Sequence, residues 1–409
     1  MTNTDDQIAH KTPRCNKVSA TRLAWIAFYI GIAGYGGGPA IIGLIRQIFV
    51  DKLEWVSEED FSTGLSLCQI LPGANALSLI EFLGYTMRGS LGAIITPVCF
   101  LIPAFILMTV LSAVYFSYGQ VPLAQALFTG LSATVVALLA NALLILGKPA
   151  IRNWQAALIA ATGFVVVIVL NSLHSPLAIM AVVACSALLG LLLNRQPGST
   201  DGTPAPVAEP APHTPWFWPV CLLLACVFVT ILALTVHTAY TQLFLALSRV
   251  GLFTFGGGFM SIPFFQHEAV ETHHWLTTPQ FLAGIALGQI TPGPVLITGT
   301  FIGYRVLGIL GALLGTIAVF LPGALGMFFL AHQHERLQQL VWLQFAVRGV
   351  VAGFIGVLLN VTLQLARQSI TDWKTAIVAT VSLGVLVVAR KDPLWVIIGT
   401  VIVSPFLFR

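Results

Sequence analysis

The sequence predicts an all-α polytopic membrane protein with two inverted-topology repeats, broken or re-entrant helices, and about 12–13 membrane segments. First, 57% of the 409 residues are hydrophobic and only 8% are charged, whereas soluble domains carry about 25% charged residues. Second, apolar runs long enough to cross a bilayer recur along the whole chain. Third, the sequence repeats itself at an offset of 220 residues.

Helices are favoured over strands because backbone groups in lipid must be satisfied within each segment. A barrel would need short alternating strands, and the apolar runs are too long and uniform for that. The net charge of +4 is small and spread along the chain, so it gives no support for nucleic-acid binding. The six cysteines are scattered and show neither a disulfide framework nor metal-ligand spacing, which predicts reduced, packed thiols.

The repeat runs through both halves. Positions 36–73 share thirteen identities in 38 positions with the stretch 220 residues later, and the match then continues at an offset of 219 as far as Trp154 and Trp373. A full-length duplication of this kind is typical of secondary-transporter folds.

Five regions follow from the repeat. They are a cytoplasmic tail (1–21), a first repeat (22–194), a disordered Pro/Gly/Ser/Thr-rich linker (195–215), an unpaired transmembrane helix (216–240) and an inverted second repeat (241–409). The predicted segments are 22–50, 57–87, 89–117, 121–147, 153–171 and 176–194, then 241–270, 277–304, 307–331, 341–367, 373–389 and 393–408. The first two of each half are interrupted, and the sequence leaves open whether they cross or re-enter.

The distribution of Lys and Arg residues tests the orientation of the chain in the membrane, because cytoplasmic loops carry an excess of them. With the N-terminus in the cytoplasm most of them fall inside, and the loop "SYGQVP" at 117–122, which has no Lys or Arg, falls outside. A minority that includes Arg305 falls on the external side, against the bias.

Glycines break the interrupted segments and suggest an anion site. Three consecutive glycines break a helix, and the next half-helix then begins with free N–H groups and partial positive charge. Pro-Gly turns form a second break beside neutral hydrogen-bonding side chains. The predicted substrate-binding residues are Gly36, Gly37, Gly38, Gln69, Pro72, Gly73, Asn75, Gly256, Gly257, Gly258, Gln289, Thr291, Pro292 and Gly293. The alternative is that the glycines only allow close helix packing.

Ionisable residues within apolar runs are candidates for coupling or charge recognition, because intramembrane charges are costly. They are Arg46, Glu81, His267, Glu268 and Glu271. The alternative for Arg46 and Glu271 is that they lie at segment ends and reach water. No metal site or cofactor is predicted.

The chain resembles the chromate ion transporter family in its two-domain prokaryotic form. The stretch "FGGGFMSIPFFQHEAVETHHWLTTPQFLAGIALGQITPGPVLITGTFIGY" (255–304) carries the resemblance, and "LCQILPGANALSLIEFLGY" (67–85) looks like its first-half counterpart. The elements matched position by position are Gly256, Gly257, Gly258, Pro263, Glu268, Trp275, Gln289, Pro292, Gly293 and Pro294. The first half departs from the family pattern: it lacks the His and acidic residue after its glycines, and Glu81 replaces an expected neutral residue.

The resemblance implies a carrier that exports chromate across the bacterial inner membrane and confers resistance, with the oxyanion and the lipid bilayer as partners. Sulfate or another oxyanion is an alternative substrate, and a passive anion channel is an alternative mechanism, recognisable by flux far above carrier turnover. A membrane-embedded enzyme, such as a lipid-modifying transferase, is a further alternative that would need clustered acids or histidines, and the candidate cluster of His267, Glu268, Glu271, His273 and His274 has no first-half counterpart. A chromate reductase is disfavoured because no flavin or dinucleotide fingerprint is present. The sequence leaves the oligomeric state open, with a homodimer as one candidate.

Overall fold

The computed structural model describes residues 18–119, 121–172, 178–193, 238–337 and 341–408, and within these ranges the chain is helical and has no strand. The predicted linker 195–215 and nearly all of the predicted tail and unpaired helix lie outside the described residues. The first half contains α1 (Ala20–Ala33), α2 (Gly37–Arg46), α3 (Glu58–Ile70), α4 (Asn75–Tyr118), α5 (Pro122–Ala150), α6 (Trp154–Ser172) and α7 (Ala178–Leu193). The second contains α8 (Ala239–Phe253), α9 (Ile262–Gln266), α10 (Thr278–Ile290), α11 (Thr298–Leu337), α12 (Val341–Ser369), α13 (Trp373–Val387) and α14 (Pro393–Leu407).

The helices confirm an all-α polytopic membrane protein. Four helical stretches in the described ranges are long and apolar enough to span a bilayer, namely Asn75–Tyr118, Pro122–Ala150, Val295–Phe329 and Gln344–Ser369. Five shorter apolar helices accompany them. Most observed helices begin and end within a few residues of the predicted segments from 89 onward, and each interrupted segment divides at its predicted break. The exception is α11 (Thr298–Leu337), which joins the second arm of the predicted segment 277–304 to the predicted segment 307–331 and ends six residues beyond it.

The Pro-Gly segments are re-entrant hairpins. A Cβ on Gly64 of α3 would lie 2.5 Å from the ring of Phe82 in α4, and a Cβ on Gly284 of α10 would lie 2.6 Å from the ring of Phe301 in α11. The two arms of each segment therefore lie side by side and turn at the Pro-Gly break. A residue with a side chain at either glycine would push the arms apart.

The glycine-triplet segments also return to the end where they began. The guanidinium of Arg22 in α1 lies 5.2 Å from the centroid of the Trp55 ring, which follows the second arm. In the second half, Arg249 of α8 pairs with Glu268 of the second arm at 3.3 Å. All four interrupted segments are therefore hairpins that do not cross, which resolves the alternative left open by the sequence.

The two halves are inverted relative to each other. α4 turns sharply where Arg88 and Gly89 leave helical geometry, and its second arm, 90–118, extends about 43 Å at 1.5 Å per residue. At the far end of this arm, the ring of Phe116 stacks on that of Tyr304 at 6.1 Å, just before the equivalent turn in α11, where Gly308 has φ +62°. The two equivalent turns thus lie at opposite ends of the bundle, called here the Arg88 end and the Gly308 end.

The halves also exchange their last helices. α5 packs against α13 and α14 of the second half, and α12 packs against α6 and α7 of the first. The hydroxyl of Thr134 in α5 lies 2.8 Å from that of Thr400 in α14, which satisfies both within the buried interface. This reciprocal packing holds the interrupted segments of both halves against one another.

Candidate functional site

The tips of the hairpins from opposite halves are hydrogen-bonded to each other. The backbone N–H of Gly73 donates to the carbonyl oxygen of Thr254 at 2.7 Å, and that of Gly293 donates to the carbonyl of Gly34 at 2.8 Å. Both pairs are related by the 220-residue offset. Each bond satisfies a carbonyl at the C-terminal end of the other half's first helix, where no intrahelical donor exists.

The tips meet near the middle of the bundle. A Cβ on Gly293 would lie 3.2 Å from Ala104, halfway along the arm 90–118, and one on Gly73 would lie 3.2 Å from the equivalent Gly323 in α11. In a bundle whose long arms are about 43 Å long, this places four helix breaks at central depth. Irregular backbone at that depth is tolerated where it lines a cavity or is buried in protein.

A cavity lies between the glycine break of the first half and the Pro-Gly break of the second. Its volume is about 10 Å³ as space for the centre of a water molecule, close to the minimum that holds one water. It is lined by Gly34, Tyr35, Gly36, Gly37, Gly288, Gln289, Thr291, Gly293, Val295, Pro393 and Leu394. The side-chain nitrogen of Gln289 is buried and has no hydrogen-bond partner among the described residues.

The first two glycines of each triplet are required by backbone geometry. Gly36 and Gly37 have φ of +90° and +80°, and Gly256 and Gly257 have +80° and +117°, a region that glycine adopts without strain. A Cβ on Gly37, Gly38 or Gly257 would meet no described atom within 4 Å. Close packing, the alternative reading, therefore does not explain these three positions.

Close packing does account for the last glycine of the second triplet. A Cβ on Gly258 would lie 2.9 Å from the side chain of Val295. The chain then forms a 3₁₀ turn, Gly258–Ser261, before the short α9, whereas α2 begins directly at Gly37. Such turns are common at helix starts, so the second triplet leads into an α-helix less directly than predicted.

The structure gathers some predicted site residues and separates others. Gly36, Gly37, Gln289, Thr291 and Gly293 line the central cavity, with Pro292 between two of them. The first-half counterpart Gln69 is exposed. The other predicted residues, Gly38, Pro72, Gly73, Asn75, Gly256, Gly257 and Gly258, belong to the hairpin tips but do not line this cavity.

Arg46 lies at the Arg88 end and is neutralised there. Its guanidinium contacts both carboxylate oxygens of Glu58, with Nη2–Oε2 at 3.1 Å, and both side chains are about half exposed. Such an exposed pair contributes little to stability. Arg46 is therefore away from the cavity and paired with an acid, as the segment-end alternative expected.

Glu81 is a buried acid in the first arm of α4. It is 3% exposed, and one of its carboxylate oxygens has no hydrogen-bond partner among the described residues. Its counterpart is Thr300, whose hydroxyl contacts that of Thr316 at 2.7 Å. The acid therefore gives the first half an ionisable group that the second half lacks at this position.

A larger charged network occupies the second half around a π-helical turn, His267–Thr272. Glu268 contacts Arg249 at 3.3 Å and His273 at 3.5 Å, and His267 contacts Glu271 at 3.1 Å. The first-half positions matching Arg249, Glu268 and His273 are Tyr29, Ile48 and Leu53. The ionisable groups of this network at positions 249, 268 and 273 therefore have no ionisable acid, histidine or arginine as counterpart in the first half. Among the described residues no cluster of His, Cys, Asp and Glu has metal-binding geometry.

Sequence reasoning missed several residues of the cavity wall. Tyr35 adjoins the glycine triplet, and Pro393 and Leu394 come from the start of α14. Proximity of Tyr35 to the triplet was a usable signal. No pattern in the sequence connects α14 to the first glycine break, because that contact spans more than 350 residues.

Comparisons with known proteins agree with this architecture. The family described as chromate transporter matches residues 21–191 and 241–404. A chromate transport protein of Pseudomonas aeruginosa is 32% identical over 345 residues, covering 82% of this chain and 79% of that protein. One from Cupriavidus metallidurans is 29% identical over 366 residues, covering 88% and 86%.

An uncharacterized transporter of Methanocaldococcus jannaschii is 30% identical over 371 residues, covering 89% of this chain and 88% of that protein. No solved structure matches significantly. These named relatives are transport proteins, and the family match covers both repeats. The chain is a multi-pass membrane protein that belongs to the chromate transporter family.

Proposed function

We propose that this protein is a secondary carrier that moves a tetrahedral oxyanion, chromate, out of the cytoplasm through the central cavity and thereby confers chromate resistance. The observation that supports it most directly is the unpartnered side-chain nitrogen of Gln289 in that cavity. An unpaired buried donor costs about 1–3 kcal/mol. An oxyanion accepting from it would remove that cost.

The backbone around Gln289 suits an anion as well. Gly36 and Gly37 lie in the same wall, at the start of α2, where N–H groups have no intrahelical partner and the helix carries partial positive charge. None of the described lining residues is acidic, but a carboxylate oxygen of Asp392 lies beside the wall, 3.7 Å from the position that a Cβ on Gly36 would take. The amide donor of Gln289 and the start of α2 supply the attraction for a multiply charged oxyanion, and chromate and sulfate share this charge and shape.

The cavity must widen to admit the substrate. Its volume of about 10 Å³ suits one water molecule, so the described conformation is closed around the site. Because each tip is hydrogen-bonded to the opposite half, movement of one half against the other would open the cavity. Rocking of inverted repeats about a central site is the usual basis of alternating access.

The membrane potential supplies a driving force for export. Each elementary charge moved through 100 mV is worth about 2.3 kcal/mol, so a dianion leaving a negative interior gains about twice that. Export in this direction requires the predicted orientation in the inner membrane, with a cytoplasmic N-terminus. Coupling to protons would use Glu81 or the network of His267, Glu268 and Glu271.

Chromate accumulation in energised inside-out vesicles tests the proposal. We expect protein-dependent accumulation that an uncoupler abolishes and that saturates with chromate concentration. Sulfate added as a competitor measures selectivity, and complete inhibition at equal concentration would reassign the substrate to sulfate. Non-saturating flux that persists without energisation would identify a passive channel, and no flux in vesicles containing the protein would reject chromate transport.

A further inference from the structure

A second cavity lies at the Gly308 end. Its volume is about 180 Å³, and it is lined by Tyr115, Phe116, Gly119, Gln280 and Arg305. On the same measure about 10–15 Å³ holds one water, so the cavity is large enough for a hydrated or bare oxyanion. It is separate from the central cavity, with which it shares no lining residue.

Arg305 gives this outer cavity a positive charge. Its guanidinium carbon lies 5.5 Å from the centroid of the Phe116 ring, a cation–π contact that positions the group without neutralising it. No carboxylate lies within ion-pair distance of it in the described part of the chain. The guanidinium can therefore pair with an anion from solution.

The remaining polar groups of the outer cavity also favour an anion. The side-chain oxygen of Gln280 accepts from the backbone N–H of Thr277 at 2.9 Å in a capping box. Its amide nitrogen is therefore free of that bond and can donate into the cavity. The Tyr115 hydroxyl can also donate, and none of the described lining residues is acidic. Gln280 lies in the first turn of α10, whose N-terminus adds partial positive charge.

The equivalent positions at the Arg88 end have the opposite character. Arg305 corresponds to Thr86, whose hydroxyl donates to the carbonyl of Leu83 at 2.8 Å. Gln280 corresponds to Asp60, which accepts from the Ser57 hydroxyl at 2.8 Å. The pseudo-two-fold therefore replaces a cation and an amide by a hydroxyl and a carboxylate. Of these two pairs of equivalent positions, the pair at the Gly308 end carries the cation and the amide.

One helix joins the outer cavity to the central one. Gln280 and Gln289 are nine residues apart on α10, which corresponds to about 14 Å along the helix axis. The outer cavity also borders Gly119, in the loop that has no Lys or Arg and is predicted to be external. Arg305 stands on that side against the positive-inside bias, and anion binding gives a reason for its position.

We propose that the outer cavity is a second oxyanion site, which holds a tetrahedral dianion at the external mouth of the carrier before release or after capture. The proposal rests on the function proposed above. It assigns to Arg305, Gln280 and Tyr115 a role in binding the transported anion outside the central cavity.

The test compares Arg305→Gln with the control Arg152→Gln. The control removes the same charge from an exposed position just after the end of α5, far from the outer cavity, which lies near the start of α5. Chromate exchange is measured in vesicles of both orientations. We expect Arg305→Gln to raise KM about tenfold when chromate is presented to the Gly308 end, since charged hydrogen bonds contribute that much. KM at the Arg88 end and kcat should stay near wild type, and Arg305→Lys should recover part of the loss. Equal KM values for Arg305→Gln and wild type at both ends would overturn the proposal.

Equilibrium dialysis of radiolabelled chromate against purified protein separates this site from the central one. Arg305→Gln should lose one bound anion and Gln289→Leu the other, each with wild-type thermal stability as a folding control. Unchanged stoichiometry in Arg305→Gln would reject the outer site even if transport occurs. Loss of an anion in Arg305→Gln in a protein that shows no chromate transport would instead reject the proposed function and keep the outer site.

Discussion

The backbone N–H of Gly73 donates to the carbonyl oxygen of Thr254 at 2.7 Å, and this bond joins the Pro-Gly tip of one half to the first helix of the other. Its counterpart, from Gly293 to Gly34, has nearly the same length. A pair of equivalent contacts is what a two-fold relationship between repeats generates. The protein thus has two equivalent contacts between its halves at central depth, and the proposed movement of one half against the other would have to keep or break both together.

Alanine at either of these two glycines should impair stability and transport. Gly73 and Gly293 have φ of +113° and +111°, and forcing an L-residue there costs about 1–3 kcal/mol. We expect Gly73→Ala and Gly293→Ala to lower thermal stability in detergent and to reduce transport by similar factors. Gly384→Ala, at a helical glycine with open space, serves as the control. A large effect at only one of the two glycines would contradict their equivalence.

The re-entrant hairpin predicts a specific rescue. Gly64→Ala places a methyl group against the ring of Phe82, and overpacking of this kind costs about 1–3 kcal/mol. Removing part of the ring volume by Phe82→Leu should restore stability in the double variant. Thermal unfolding of the two single variants and the double variant measures the coupling. Simple additivity of the two losses would show that these residues do not touch.

Replacing Glu268 should destabilise the protein more than replacing Glu271. Glu268 is 7% exposed, pairs with Arg249 at 3.3 Å and lies 3.5 Å from His273, so Glu268→Gln leaves the Arg249 guanidinium without its carboxylate. We expect a loss of about 1–3 kcal/mol in stability. Because the Glu271 side chain is one-third exposed, Glu271→Gln should cost less. Thermal unfolding compares them, and an equal or smaller effect at Glu268 would refute the assignment.

The pH dependence of transport then separates a structural from a coupling role for Glu268. If the network carries protons, correctly folded Glu268→Gln protein should transport chromate at a rate set by the membrane potential alone. Its transport rate should then depend less on pH than that of the wild-type protein. A pH profile identical to that of the wild-type protein would restrict Glu268 to holding the hairpin arms together.

Local features of the fold could be predicted from the sequence. The glycine triplets and Pro-Gly pairs interrupt helices where predicted, because the need for positive φ is a property of the residues themselves. The turn at Arg88–Gly89 was visible as a boundary between predicted segments for the same reason. Repetition of these signals at fixed offsets made the inverted duplication predictable.

Contacts between segments that are distant in the sequence could not be predicted in this way. The pairing of Arg46 with Glu58 and the contribution of α14 to the central cavity depend on how helices pack in three dimensions. The outer cavity likewise combines α4, α10 and α11. Sequence reasoning therefore identified Gln289 as a candidate but gave no reason to prefer it over Gln69, which is exposed.

The most direct test of the central claim compares initial rates of chromate accumulation in energised inside-out vesicles for wild type, Gln289→Leu and Gln242→Leu at equal protein amounts. Gln242 is exposed near the start of α8 and controls for the loss of an amide. If Gln289 binds the substrate in the central cavity, Gln289→Leu should lower kcat/KM by about tenfold or more while Gln242→Leu matches wild type. Equal rates in all three would show that the anion does not pass through this cavity.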